Sequence, residues 1–249
     1  MSDDRHLETE LQRRTRFHRL VHLATCTSTQ DVAAGHSDDT PTVVWADHQT
    51  RGRGRQQREW HDERGQDLAL TFRVRQPLPA PLALPAALPV AVLQAIEPLA
   101  GRPLRIKWPN DLFLDGKKLC GVLIDAGAGS PDTYLIGIGV NCNRVRFPPD
   151  LENLATSLAL ATGRTVDREA LLLAIAEGLD RLLDDLVARR HGALERVLRD
   201  RLGLVGQRVR VDAGERREGV LTAIDFARLV LDGGVEMPLG IVRGIVRAG

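Results

Sequence analysis

Between Thr50 and Trp60 the chain reads TRGRGRQQREW: arginines alternate with glycines, glutamines follow, and no apolar side chain intervenes before the tryptophan. Glycines let backbone N–H groups converge on an anion, and guanidinium forks match the oxygens of a phosphate or carboxylate. The segment is therefore either a solvated basic loop or a wrap around something anionic. RNA binding of the RGG kind needs repeats with interleaved aromatics, and a single copy is present. A second cluster, KWPND (Lys107–Asp111), holds Lys107, Asn110 and Asp111 around Pro109, which fixes the backbone and confines Trp108 to an extended conformation. Lys107 is suited to phosphates, and Asn110 and Asp111 to a polar ligand or a metal. Taken alone, a loop with an Asn-Asp turn accounts for the same residues. Lys118, at the head of an apolar run, is either an exposed lysine with a packed stem or a cation held over a pocket to fix a carboxylate.

Other chemistries find little support. The chain has no HExxH, GxSxG or GxxxxGK[ST], and GIGVNC departs from GxGxxG at Cys142. His48 and His61 flank the arginine loop and read as structural or exposed. Cys26, Cys120 and Cys142 are few, odd in number and far apart, which excludes a disulfide framework and fits a reducing compartment. A net charge of +1 argues against a surface that coats nucleic acid, so an anion site must be local. The charged N-terminus lacks a signal-peptide core. Five prolines interrupt the apolar stretch Leu78–Ala100, which reads as a buried helix near Pro89–Leu99 and not as a membrane span. A cytoplasmic protein without membrane or nucleic-acid partners is expected.

These residues must be positioned by a mixed set of elements. Residues 1–20 read as a charged tail or frayed helix. A helix over Asp31–Ala34 is expected, capped by Ser28 or Thr29. Pro41–Asp47, Asp67–Val74 and Thr133–Asn143 read as strands, and Gly137 and Gly139 in the last imply close approach of something to the backbone. Asp115-Gly116 predicts a tight hairpin joining Leu112–Leu114 to Lys117–Ile124, with Lys118, Cys120, Val122 and Ile124 on one face. Two helices follow, the first capped by Asp167 and the second ending at Gly203. From about Val205 short β segments and glycine turns suggest a small barrel of SH3-like size.

TSTQDVA (27–33), ADHQTRGRGRQQREW (46–60), KWPNDLFLDGKKLCGVLID (107–125) and GIGVNCN (137–143), in this order and spacing, resemble the biotin–protein ligase family. The resemblance runs from about residue 24 to the end. It implies an α+β fold, a mixed-sheet biotin/lipoate-ligase-like catalytic domain (21–203) followed by an SH3-like β domain (204–249), with 1–20 as a tail. It also implies an ATP-dependent ligase that adenylates biotin and transfers it to a lysine of a carrier, the biotin carboxyl carrier protein of acetyl-CoA carboxylase or a related carboxylase. Biotin and ATP are then substrates and Mg²⁺ the metal, with ligands left unassigned. With only about two dozen residues before the catalytic domain, no operator-binding domain is expected, and the chain is expected as a monomer or a homodimer.

Residue by residue, the resemblance gives Ser28, Thr29, Gln30 and Gln49 to the biotin head group. Gly52, Arg53, Gly54 and Arg55 would wrap the carboxylate and the adenylate phosphate. Arg58, Lys107, Asn110 and Asn141 would serve the nucleotide, and Trp60 would stack on adenine. Lys118 would hold the carboxylate and the α-phosphate, Asp111 would assist the metal or the incoming lysine, and Gly121 and Gly139 would admit the biotin ring. Gln56-Gln57 replaces the basic residue and glycine the family often carries, Glu59 replaces a lysine, and Asp125 a glutamate. The rival readings are a lipoate or octanoate transferase of the same fold, for which Cys120 would be the acyl carrier although its place between Leu119 and Gly121 in an apolar strand reads as packing, and a non-catalytic biotin sensor.

Overall fold

Leu7 and Leu11, four residues apart and both buried, dock the first helix of the computed structural model, which describes residues 2–127 and 130–248. The elements begin α1 (Ser2–Arg14), β1 (Arg19–Leu23), α2 (Thr29–Ala34), β2 (Thr42–Ala46) and a short ribbon of β3 (Gly52–Arg53) and β4 (Glu59–Trp60). Then come β5 (Leu68–Arg75), α3 (Leu84–Ala100), β6 (Arg105–Lys107), β7 (Asp111–Leu114), β8 (Lys117–Ala126) and β9 (Thr133–Val140). Helices α4 (Leu158–Thr162), α5 (Arg168–Val187) and α6 (Gly192–Leu202) follow. The chain closes with β10 (Arg208–Asp212), β11 (Arg216–Ile224), β12 (Arg228–Leu231), β13 (Val235–Pro238) and β14 (Gly244–Arg247).

Seven strands form one mixed sheet in the order β1-β2-β5-β9-β8-β7-β6. The β1–β2 pair is parallel, and the remaining neighbours are antiparallel. Alternation sends Val43, Trp45, Leu70, Phe72, Ile136 and Ile138 into the main core with α3 and α5. The opposite face carries Thr71, Gly137 and Gly139, and there α2 packs on β2, β5 and β9. Cover on both faces explains why β5 shows only partial alternation in its sequence. The last five strands make an antiparallel sheet in the order β13-β12-β11-β10-β14, consistent with the SH3-like module.

The Asp115-Gly116 turn has positive φ at both residues, 50° and 80°, as a two-residue hairpin requires. Its strands contain one irregularity that sequence alternation could not foresee. Leu112 pairs with Cys120 but Phe113 pairs with Lys118, so Leu119 is an extra residue in β8. Leu119 and Cys120 both enter the core. Lys118 instead faces the side of the sheet occupied by Gly121 and Gly139, correcting the expectation that it shares a face with Cys120 and Val122.

The N-terminal region also differs from expectation. The first twenty residues include a docked helix, and Arg16 ties the following turn to Asp180 and Asp184 of α5. Strand β1, unassigned from sequence, lies beside β2 at the sheet edge. The buried helix expected near Pro89–Leu99 is present and starts earlier, at Leu84, with Leu84, Leu88, Leu93 and Ile96 buried.

Candidate functional site

On the α2 side of the large sheet a cavity of about 470 Å³ collects residues from every cluster singled out in the sequence. One wall is polar and closely paired. Ser28, in extended conformation, caps α2 by accepting from Gln30 N. Gln49 Oε1 accepts from Thr29 N at 2.9 Å and from Thr29 Oγ1 at 3.1 Å. Thr71 Oγ1 lies 2.9 Å from Thr29 Oγ1 and 3.1 Å from Gln30 Oε1, while Gln30 Nε2 donates to Leu135 O. Thr71 was missed because a threonine in a buried strand carries no distinguishing sequence signal.

The floor explains the glycines. A Cβ on Gly139 would stand 2.4 Å from the Trp60 ring, and one on Gly137 would stand 2.8 Å from Gln30 Oε1. Trp60 and Gln30 therefore take up the close approach that these positions allow. Trp60 Nε1 is buried without a hydrogen-bond partner among the described residues, so a ligand acceptor would find a donor there. Gly139→Ala is expected to push Trp60 aside and cost about 1–3 kcal/mol of stability, as overpacking does. Denaturant unfolding checks this, and an unchanged midpoint would refute the packing described.

The rest of the cavity is cationic. Lys118 Nζ lies 2.8 Å from Asp111 Oδ1 and 5.6 Å from the Trp60 ring centre. Arg55 Nη1 donates to Asn110 Oδ1 at 3.3 Å, and Asn110 Nδ2 donates to Val122 O, which orients its amide. Burial pushes the Arg55 guanidinium below its ordinary value, against the pull of the nearby Asp111 charge. Arg53 bridges Asp31 of α2 and Asp125 of β8, clipping the β3–β4 ribbon across the opening. Arg58 donates to Gln56 Oε1, and Lys107 lies over Phe113. Arg243, from the C-terminal sheet region, also lines the cavity. Its neighbour Val242 accepts a hydrogen bond from Trp108 Nε1 at 3.0 Å, so the second cluster anchors the C-terminal module as well. The lining thus holds Arg53, Arg55, Arg58, Lys107, Lys118 and Arg243 against Glu59 and Asp111.

The profile of the biotin/lipoate A/B protein ligase family matches residues 24–143. A biotin–[acetyl-CoA-carboxylase] ligase from Mycobacterium tuberculosis is 32% identical over 214 residues, which cover 81% of this chain and 77% of that one. The chain belongs to the biotin–protein ligase family. The bifunctional ligase/repressor BirA of Bacillus spizizenii is 38% identical over 162 residues, and the chain spans about half of its length. Among solved structures, the Aquifex aeolicus biotin protein ligase in complex with biotin and ATP superposes with a TM-score of 0.81 at 27% identity, covering 93% of this chain and 100% of that one.

Most of the residues assigned from the resemblance to biotin–protein ligases line the cavity: Ser28, Thr29, Gln30 and Gln49; Arg53, Gly54, Arg55, Arg58 and Trp60; Lys107, Asn110, Asp111, Lys118, Gly121 and Gly139. Two do not. Gly52 lies beneath the ribbon, where a Cβ would meet Trp60 O at 2.3 Å. Asn141 is buried, and its Nδ2 donates to Thr156 O and Lys118 O, so its amide supports the backbone around Lys118. Trp60 lies in the cavity with its ring against Gly139 and Gly121. Arg243 was missed because an arginine among the C-terminal strands gives no sequence hint of reaching a cavity on the large sheet.

Proposed function

We propose that the protein is a biotin–protein ligase that adenylates biotin with ATP and passes the biotinyl group to one lysine of a carrier domain. The observation that carries this reading is one cavity joining a hydrogen-bonded polar wall to a cation-rich end, in a protein of net charge +1. The Thr29–Gln49–Thr71–Gln30 wall suits an uncharged polar ring, and the cations suit a carboxylate and a triphosphate that repel each other in water. The biotin carboxylate oxygen attacks the α-phosphorus, a new P–O bond forms, and the bond to pyrophosphate breaks. The acceptor lysine nitrogen then attacks the acyl carbon, AMP leaves, and the nitrogen loses a proton.

Lys118 and Arg55 stabilise charge at the carboxylate and α-phosphate, and Asp111 holds Lys118 in place. Among the described residues no cluster of three His, Cys, Asp or Glu could hold a metal unaided. Asp111, which pairs with Lys118 through Oδ1 and lines the cavity, would be the carboxylate to hold a Mg²⁺ arriving on the triphosphate, an ion that needs only one or two protein carboxylates. Such an ion would neutralise phosphate charge. The names of relatives from Mycobacterium tuberculosis and Paracoccus denitrificans support a carrier domain of acetyl-CoA carboxylase as acceptor. Against a transferase with an acyl-cysteine, Cys120 is fully buried and burial pushes its thiol far above the ordinary range, leaving no thiolate at neutral pH.

The ribbon and its loop would cover the adenylate, which water otherwise hydrolyses. Gln56 and Gln57 both adopt left-handed backbone, φ 55° and 61°, at a cost of roughly 1 kcal/mol each. Gln57→Gly is therefore expected to favour the ordered loop and slow escape of the adenylate by about threefold to fivefold. A chase of enzyme-bound radiolabelled adenylate measures the escape rate.

Pyrophosphate–ATP exchange with biotin, lipoate, octanoate or no acid tests the function. Exchange dependent on biotin alone supports the ligase. Exchange with lipoate reassigns it to the lipoyl branch, and none with any acid from folded protein overturns the enzyme reading in favour of a sensor.

A further inference from the structure

Asp62 lies outside every motif that identified the family, yet its carboxylate is 2% exposed and sits at the root of the loop that carries the arginines. Oδ2 accepts from Gln49 N at 2.9 Å and from Gln49 Nε2 at 3.4 Å, and Oδ1 meets His48 Nδ1 at 2.6 Å. A side-chain amide has a donor end and an acceptor end that can exchange places by a flip. A carboxylate accepts and the Thr29 backbone N–H only donates, so Asp62 at one end and Thr29 N at the other both favour the Gln49 amide with NH₂ toward Asp62 and Oε1 toward Thr29. Oε1 then takes both Thr29 N and Thr29 Oγ1, which makes that hydroxyl a donor to Gln49 and an acceptor from Thr71. At the other end Leu135 O fixes Gln30 in the same way.

We propose that Asp62 is a positioning residue that, together with the Thr29 backbone N–H, holds the side-chain amide of Gln49 in place and orientation, and through it the donor–acceptor polarity of the wall that receives the uncharged ring of biotin. This rests on the ligase reading above. Asp62 touches no substrate in this arrangement, and it acts on the affinity for biotin and not on the nucleotide. His48 Nδ1 meets Oδ1, which also accepts from Gln49 N at 3.2 Å, so His48 braces the carboxylate without touching the Gln49 side-chain amide.

The test is a double-mutant cycle read by pyrophosphate exchange, with thermal unfolding confirming that each variant folds. Asp62→Asn presents a donor as well as an acceptor to Gln49, and is expected to raise the KM for biotin about tenfold, the worth of one well-placed hydrogen bond. The KM for ATP and kcat should stay within about twofold. In a Gln49→Ala background the same change is expected to add nothing, because the amide it orients is gone. His48→Gln separates orientation from a general loosening of the loop root and should leave the KM for biotin unchanged. An Asp62→Asn enzyme with wild-type KM, an equal further loss in the Gln49→Ala background, or a His48→Gln variant as impaired as Asp62→Asn would each overturn the proposal. Absence of biotin-dependent exchange in the wild type would instead overturn the ligase reading, and the proposal with it.

Discussion

Lys118→Ala is expected to lower biotin-dependent pyrophosphate exchange by about 10²–10³-fold, the loss found when one preorganised group facing developing charge is removed. The ammonium stands on the cavity face of β8, 2.8 Å from Asp111 and with a third of its side chain still accessible. It is therefore held in place and open to a ligand. Removing it leaves Asp111 as an unpaired negative charge beside the site of two anionic substrates, which compounds the loss. Lys118→Arg is not a conservative rescue. The Lys118 Nζ already lies 3.3 Å from where a Cβ on Gly121 would be, with the Trp60 ring equally close, so the space holds a compact ammonium and not a planar guanidinium. Steady-state exchange at saturating ATP and biotin measures the effect. A loss under about tenfold would remove Lys118 from the chemistry.

The second large effect concerns stability. Asp67→Ala is expected to cost about 3–5 kcal/mol, because it strands the Arg144 guanidinium in the interior. Both side chains are buried, 0% and 3% exposed. Asp67 accepts from Arg144 Nε at 2.6 Å and from Nη2, and from the backbone N–H groups of Glu63 and Cys142. Burial pushes the Asp67 carboxyl up, and Arg144 with those backbone donors pulls it back. Arg144 also donates to His61 O, so the pair joins the end of the arginine loop to the segment after β9. The expected fall in Tm is roughly 10 °C or more for a chain of this size. Replacing both partners, Asp67→Leu with Arg144→Met, should recover much of the loss, since an apolar pair leaves no uncompensated charge. A single variant as stable as wild type would refute the account.

Several elements were legible because their signals are local. Asp115-Gly116 demands a tight turn whatever surrounds it, and Asp167 caps α5 through its own following N–H groups. Strand β1 was not legible: its half-buried residues at a sheet edge carry no alternation strong enough to set them apart. The N-terminal helix is mostly charged, and only its contact with α5 and the sheet gives Leu7 and Leu11 somewhere to go. The helix near Pro89–Leu99 was legible from its apolar run and interrupting prolines, and packing on α5 and α6 decides which faces it buries.

The order and spacing of the TSTQ, GRGR, KWPND and GIGVN segments already point to the family and to many of the cavity's polar residues, because such chemistry needs those side chains whatever holds them. Which way each of them faces is a different matter. A bulge of one residue turns Lys118 away from Cys120, a packed ring claims the space above Gly139, and hydrogen bonds to Lys118 O and Thr156 O draw the Asn141 amide into the backbone. Thr71, Asp62 and Arg243 join the site from a buried strand, a loop root and another module. Direction and neighbourhood arise from contacts between segments far apart in the chain, and no local pattern of residues encodes them.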